Sequence, residues 1–130
     1  MVCLETSFII DFFRGEEKAR SLYQRFKSEN ETLSVTTPTI MELISGASLE
    51  KTGKEKEETI EFLSSLIILS LDKESSILAG EIEGSLIMAG ETVPAVDIMI
   101  GAIAKHNKET LITRNKKHFE KIKGLEIESY

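Results

Sequence analysis

The stretch MVCLETSFIIDFFRG, residues 1–15, contains the feature from which both the fold and the site can be worked out. Its short apolar run Val2–Leu4 is typical of a buried strand, and this run ends abruptly at Glu5. A carboxylate among buried atoms is costly unless it is paired, protonated or bound to a metal ion. Whether Glu5 belongs to a functional site therefore depends on the acids that stand at matching positions downstream.

Strand and helix patterns alternate along the rest of the chain, with no repeat and no linker between them. Further strands are predicted at residues 32–37, 66–71, 110–113 and 125–129. Helices are predicted at residues 16–27, from Pro38, from 54 onward, around 78–89, at 94–107 and at 116–122. The alternation favours a single α/β domain over residues 1–130, with a mostly parallel sheet flanked by helices.

The helix from Pro38 is well marked, because Thr37 can serve as its N-cap with proline at the first helical position. Its apolar stripe has helical spacing and consists of Ile40, Leu43, Ile44 and Ala47. Glu42 lies off this stripe.

Three other patterns give more specific predictions. Ile60, Leu63 and Ile67 are spaced to share one face of the helix that follows Gly53. The segment LIILSL, residues 66–71, is apolar enough to predict a buried parallel strand. The segment LEIES, residues 125–129, alternates apolar and acidic residues and predicts an edge strand protected by charge.

Sites in open α/β sheets form beyond the carboxyl ends of the strands, which makes four polar side chains candidates. Glu5 follows the first strand, and Asn115 follows the strand at residues 110–113. Asp97 interrupts the apolar stretch in the first turn of the Pro94 helix, and Glu42 lies on the Pro38 helix. We predict that these four residues form the catalytic site.

Each candidate also has a structural explanation. Glu42 could be a solvated helix residue, Asp97 could be stabilised by the helix dipole, and Asn115 could cap the next short helix. Glu5 is the hardest to explain in this way because of its place at the end of a buried strand. The prediction depends on the joint pattern.

Converging carboxylates without a histidine base are typical of sites for Mg²⁺ or Mn²⁺, which prefer oxygen ligands. We predict Glu5, Glu42 and Asp97 as the metal ligands. Thr6, Ser7 and Thr113 could supply hydroxyl support nearby, although small residues beside strand ends are common without such a role. Such a cation lowers the pKa of a bound water and stabilises charge on a phosphodiester. The two histidines, His106 and His118, lie in a basic stretch and are predicted to be solvent-exposed or phosphate contacts.

Composition excludes several classes of protein. The 130 residues include one cysteine, which permits no internal disulfide and predicts a reducing, cytoplasmic location. One cysteine and two histidines do not supply a structural zinc site. No apolar run is long enough to span a membrane, and the N-terminus lacks the pattern of a signal peptide.

The formal net charge of −6 argues against a general nucleic-acid binder, but the charge is unevenly distributed. Between Lys105 and Lys123 there are seven basic residues and two acidic ones. Arg114, Lys116 and Lys117 flank Asn115 directly, and this basic segment could hold the phosphate groups of a ligand. The alternative is an ordinary solvated surface.

Four segments together resemble the PIN domain, and in length and layout the VapC-type toxin ribonucleases of prokaryotic toxin–antitoxin pairs. They are LETSFIIDFFRG, TPTIMELISG with Glu42, VPAVDIMIGAIA with Asp97, and ETLITRNKKHFEKIKGLEIE. The resemblance covers nearly the whole chain. It implies a five-stranded sheet with acids at its carboxyl edge, RNA cleavage dependent on Mg²⁺ or Mn²⁺, a homodimer, and inhibition by a small VapB-type antitoxin that fills the groove beside the site.

The chain departs from the family pattern at two positions. Glu5 stands where the family usually has Asp, and Asn115 stands at a position that is commonly acidic. These departures leave open a second interpretation, a PIN-fold module that binds RNA or protein with weak or no catalysis. A phospho-acceptor signalling domain fits less well, because it requires adjacent acids at the first strand end and a lysine after a later strand.

Overall fold

The computed structural model describes residues 1–130 and contains five strands and seven helices. The strands are β1 Val2–Leu4, β2 Leu33–Thr36, β3 Ile67–Leu69, β4 Thr110–Ile112 and β5 Ile127–Glu128. The helices are α1 Thr6–Phe13, α2 Glu17–Ser28, α3 Thr37–Ala47, α4 Lys54–Leu63, α5 Lys73–Met88, α6 Ala95–His106 and α7 Lys116–Phe119. None of the helices combines the length and the apolar character needed to cross a membrane.

The strands form one sheet in the order β3-β2-β1-β4-β5, and every neighbouring pair is parallel. The predicted α/β fold is confirmed, and the sheet is wholly rather than mostly parallel. Strand β1 lies at the centre, where Cys3 is in register with Ser34 of β2 and Leu111 of β4. Since all strands run the same way, their carboxyl ends meet at one edge of the sheet.

Helices cover both faces of this sheet, as the alternation of side chains along β1 requires. Val2 and Leu4 face a core that also contains Phe8 of α1 and Phe26 of α2. Cys3 faces the other way, into a second cluster completed by Ile100, Ala104, Leu111, Phe119 and Ile122. Burial raises the pKa of the Cys3 thiol to about 12, which agrees with its predicted role as a core residue.

Helix α1 is the element that the sequence pattern did not reveal. Its apolar residues run almost without interruption from Phe8 to Phe13, so they lack the helical spacing that marks an amphipathic helix. Glu5 is its N-cap, accepting a hydrogen bond from the Ser7 backbone N–H. The turn from strand to helix thus occurs at Glu5 itself.

Two predicted details of the β2–α3 and α4–β3 regions are wrong. The N-cap of α3 is Thr36 rather than Thr37, because the Thr36 hydroxyl accepts from the Thr39 N–H at 3.3 Å. Helix α4 ends at Leu63, so Ile67 lies on β3, and Ile60 is exposed rather than on the buried face.

Strand β3 is also not buried. Ile67 and Ile68 are 46% and 44% exposed, because β3 is an edge strand with a neighbour on one side only. The apolar run at residues 66–71 predicted a strand but not its position in the sheet. The other edge, β5, was predicted correctly, and there Arg25 binds Glu128 through two hydrogen bonds of 2.7 and 2.9 Å.

Candidate active site

All four residues predicted from the sequence lie at the carboxyl edge of the sheet. Glu5 follows β1 and Asn115 follows β4, the neighbour of β1 in the sheet. Glu42 lies in the second turn of α3, the helix that leaves β2, and Asp97 lies in the first turn of α6. Their shared edge is therefore a direct consequence of the parallel topology.

Glu5 is the most deeply buried of the four, with 2% of its surface exposed. Its Oε2 accepts from the Ser7 N–H at 3.1 Å, and its Oε1 accepts from the Ser7 hydroxyl at 2.6 Å and from the Thr113 hydroxyl. All of these donors are neutral. No lysine, arginine or histidine forms an ion pair with Glu5.

Burial raises the pKa of Glu5 above its usual value. The hydrogen bonds from Ser7 and Thr113 oppose this rise, because they favour the ionised carboxylate, whereas the negative charge of Asp97 adds to it. Asp97 is therefore close enough to Glu5 to repel it. A cation placed between these two carboxylates would offset their repulsion.

The other three residues are held by separate contacts. The Thr6 hydroxyl donates to Glu42 Oε1 at 2.6 Å, and Nδ1 of His118 lies 2.8 Å from Asp97 Oδ2. Asn115 is half-buried at the N-cap position of α7, where its side chain makes no capping hydrogen bond. Asn115 is therefore the N-cap of α7 by position, as the structural explanation expected, but its side chain is not used in capping, and Glu42 is half-buried rather than fully solvated.

The three carboxylates of Glu5, Glu42 and Asp97 lie at one edge of the sheet, but they are not close enough to one another to share a metal ion. No group of three or more carboxylate, imidazole or thiol side chains is close enough to hold a metal ion in this arrangement. The chemistry of the donors nevertheless fits a hard cation, since Glu5, Glu42, Asp97 and Asn115 offer oxygen ligands and neither Glu5 nor Glu42 has an ion-pair partner.

The whole chain, and not only this edge, is similar to proteins of one known family. The PIN domain family profile matches residues 2–125, nearly the whole chain. The chain belongs to the PIN domain family.

Relatives of this PIN domain include a tRNA(fMet)-specific endonuclease VapC from Salmonella typhimurium, 29% identical over 91% of this chain and 90% of that one. The crystal structure of DNA-bound VapBC from Salmonella typhimurium matches with a TM-score of 0.87 and 28% identity, covering 99% of this chain and 98% of the other. VapBC2 from Rickettsia felis, bound to a promoter DNA fragment, matches with a TM-score of 0.88 at 23% identity, covering 100% and 99%. The last of these supports the fold alone.

The basic residues beside Asn115 line a shallow groove of about 520 Å³ together with His118 and Glu120. Lys116 and Lys117 are exposed and have no ion-pair partner. Arg114 differs, because its guanidinium bonds to the buried carboxylate of Asp11 at 2.5 Å. Arg114 therefore already has a partner within the PIN domain, although its side chain remains half-exposed.

Asp11 makes contacts with Arg114 and Tyr130 that no pattern in the sequence indicates. Its second oxygen accepts from the Tyr130 hydroxyl at 2.7 Å, so one carboxylate fastens both the β4–α7 loop and the C-terminal residue to α1. Burial and this bond to Asp11 raise the pKa of the Tyr130 hydroxyl. The pair Asp11 and Arg114 is 103 residues apart in sequence, and no local pattern connects them.

The raised pKa of Glu5 predicts a pH-dependent stability. The unfolded chain releases this proton near pH 4.5, whereas the folded protein retains it to a higher pH. The folded state then binds more protons, so the free energy of unfolding falls as pH rises from the unfolded pKa through the folded one. Glu5→Gln cannot ionise and should lack this loss.

Urea unfolding in EDTA between pH 4.5 and 8 would measure the effect, with the exposed Glu29→Gln as the matched control. We expect the stability of Glu5→Gln relative to the parent to increase with pH and then level off. A difference that is independent of pH would contradict the raised pKa.

Proposed function

We propose that this PIN-domain protein is a metal-dependent endoribonuclease that hydrolyses RNA phosphodiester bonds, and that it is the toxin of a VapBC-type toxin–antitoxin pair. The observation that carries the proposal is Glu5, a buried carboxylate with neutral donors only, beside Asp97 at the carboxyl edge of a PIN-domain sheet. The names of the relatives, ribonuclease and tRNA-specific endonuclease, support the same reaction class.

Glu5, Glu42 and Asp97 would hold Mg²⁺ or Mn²⁺, and Asn115 would complete the catalytic set. The bound cation would supply a water of lowered pKa and stabilise charge on the phosphodiester. The hydroxyls of Ser7 and Thr113 orient the Glu5 carboxylate, and the Thr6 hydroxyl orients that of Glu42. A cation would also offset the repulsion between Glu5 and Asp97.

RNA would enter along the groove of Lys116 and Lys117, because these two ammonium groups have no acidic partner in the protein. Contacts to phosphate position a nucleic acid without reading its sequence. Arg114 also borders this groove, but a contact from it to phosphate would have to compete with Asp11. The lysines are therefore the principal phosphate contacts in this proposal.

Changing both Lys116 and Lys117 to Ala is expected to weaken RNA binding and to lower the slope of log K against log[salt] by roughly 1.4, at about 0.7 per single-strand phosphate contact. Binding to RNA at several salt concentrations in EDTA measures this, and Mn²⁺ affinity should be unchanged. The matched control is Lys18 and Lys27 changed to Ala, which removes equal charge from exposed positions on α2. An unaltered salt slope would mean that Lys116 and Lys117 do not contact phosphate and are ordinary solvated surface residues.

A second groove, of about 660 Å³, runs between α1, α3 and α4 and includes Glu42 in its lining. Apolar side chains of Ile10, Phe13 and Leu43 lie along it, and Arg14 and Lys54 add positive charge. We propose this groove as the place where a VapB-type antitoxin segment binds. Occupation would obstruct access to Glu42.

We also propose that the protein is a homodimer. Several large apolar side chains are exposed on β3, on α5 and between them, and such exposed apolar surface is typical of an interface. They are Ile67, Ile68, Leu71, Ile77, Ile87 and Met88. The predicted cytoplasmic location agrees with an RNA substrate and stays a prediction.

Incubation of the purified protein with RNA in Mn²⁺ and in EDTA tests the proposed function. Cleavage in Mn²⁺ that is absent in EDTA and in Asp97→Asn would support it. RNA binding without cleavage in either condition would overturn it in favour of the non-catalytic binding module.

A further inference from the structure

His118 is paired with Asp97 although the two residues are 21 positions apart in the sequence. Nδ1 of the imidazole lies 2.8 Å from Asp97 Oδ2, and the side chains are 49% and 13% exposed. This is the only side-chain hydrogen bond or ion pair that Asp97 makes in the protein. The proposed reaction assigns no role to the histidine.

The close approach of α6 and α7 creates this pair. Asp97 and Gly101 are four residues apart on α6, so they lie on the same face of the helix. A Cβ atom at Gly101 would lie only 2.4 Å from the Ile122 side chain and 3.6 Å from that of Phe119. The absence of a side chain at Gly101 therefore lets the segment after β4 pack directly against α6.

Phe119 fixes the orientation of the residue before it. Its ring is fully buried among Ile100, Leu111 and Ile122, which anchors the short helix α7 on the sheet. His118 is thereby placed over the first turn of α6, where Asp97 stands. The packing at Gly101 and at Phe119 therefore fixes the positions of the two residues that form this contact.

The chemistry of the pair determines which atoms are engaged. An ionised carboxylate can only accept a hydrogen bond, so Nδ1 of His118 is the donor. The bond occupies Oδ2 of Asp97 and leaves Oδ1 without a protein partner. Carboxylates that bind metal ions are commonly oriented by such an outer hydrogen bond. Its loss typically weakens metal affinity by about 10- to 100-fold.

We infer that His118 is a positioning residue that orients the Asp97 carboxylate, holding Oδ2 so that Oδ1 is presented to a divalent cation. This inference rests on the proposed metal site. A contribution to stability alone explains the contact less well, because an ion pair whose histidine is half-exposed to water adds only about 0–1 kcal/mol.

Two substitutions at His118 distinguish the effect of its hydrogen-bond donor from the effect of its side-chain volume. His118→Ala removes the donor, whereas His118→Asn retains an amide N–H at the position of Nδ1. Isothermal titration of each protein with Mn²⁺, without RNA, gives a readout independent of catalysis. His106→Ala is the matched control, because His106 is exposed at the far end of α6 from Asp97.

We expect His118→Ala to bind Mn²⁺ about tenfold more weakly than the parent, and His118→Asn and His106→Ala to bind within about threefold of it. Melting temperatures in EDTA should be similar for all four proteins, which shows that the loss is not one of folding. Parent-like Mn²⁺ affinity in His118→Ala, or an equal loss in His118→Asn, would overturn the inference while the metal site stands. Absence of saturable Mn²⁺ binding by the parent would overturn the proposed site and this inference with it.

Discussion

Asp97→Asn is expected to lower RNA cleavage by at least about a hundredfold, which corresponds to roughly 2.7 kcal/mol in the activation free energy. Asp97 is half-buried in the first turn of α6 and acts electrostatically on Glu5. The amide keeps the shape of the side chain and can still accept from His118, so the change removes charge and little else. A cation bound at the proposed site would lose one of three negative ligands.

The same substitution should not destabilise the protein without metal. Because Asp97 repels Glu5, its neutralisation relieves an unfavourable interaction, and the melting temperature in EDTA should stay the same or rise. Glu83→Gln, an exposed change of equal charge on α5, is the matched control for cleavage. A large fall in melting temperature, or cleavage equal to the parent, would remove Asp97 from the proposed metal site.

The sheet edge was predictable because parallel strands place their carboxyl ends together. The short apolar runs at Val2–Leu4 and 110–113, each followed by polar residues, were enough to locate Glu5 and Asn115 at the ends of strands that are neighbours in the sheet. Asp97 could be recognised because it interrupts an apolar helix. These are local signals, and they are strong wherever a polar group stands where burial would otherwise be expected.

The elements that were missed lack such local signals. Helix α1 packs against the sheet, α2 and α3, so apolar residues occupy most of its faces. Its sequence therefore lacks the alternation of apolar and polar residues that marks an amphipathic helix. The position of β3 at an edge depends on which strands find partners, which an apolar run does not encode. Propensity and periodicity describe a segment, whereas edge position is a property of the assembled sheet.

The hydroxyl groups near the acids could be named from the sequence, and Ser7 and Thr113 donate to Glu5 while Thr6 donates to Glu42. The ionic contacts around the acids were less predictable, since His118 reaches Asp97 because Gly101 admits the segment after β4. Arg114 was predicted as a phosphate contact from its neighbours in sequence, but its partner Asp11 lies on α1. Long-range pairings of this kind follow from the fold and not from residue spacing.

Glu5 offers the sharpest test of the site, because its charge and its length can be changed separately. Glu5→Gln keeps the length and removes the charge, and it should lower cleavage by about a hundredfold or more, since an amide attracts a cation far less than a carboxylate. Glu5→Asp keeps the charge and shortens the side chain by one methylene. Aspartate is also a good N-cap for α1 and should retain cleavage within about tenfold, or roughly 1.4 kcal/mol.

The two variants should be compared at low and at saturating Mn²⁺. If Glu5 binds the cation, part of the loss in Glu5→Gln should be recovered at high Mn²⁺, because a defect in affinity is offset by concentration. Melting temperatures in EDTA at several pH values control for folding, and the stability of Glu5→Gln relative to the parent should rise with pH as Glu5 of the parent ionises. Cleavage by Glu5→Gln equal to that of the parent at low Mn²⁺ would mean that Glu5 is not a ligand. The buried carboxylate would then be the cap of α1 alone, and the site would fit a PIN domain that binds without cutting.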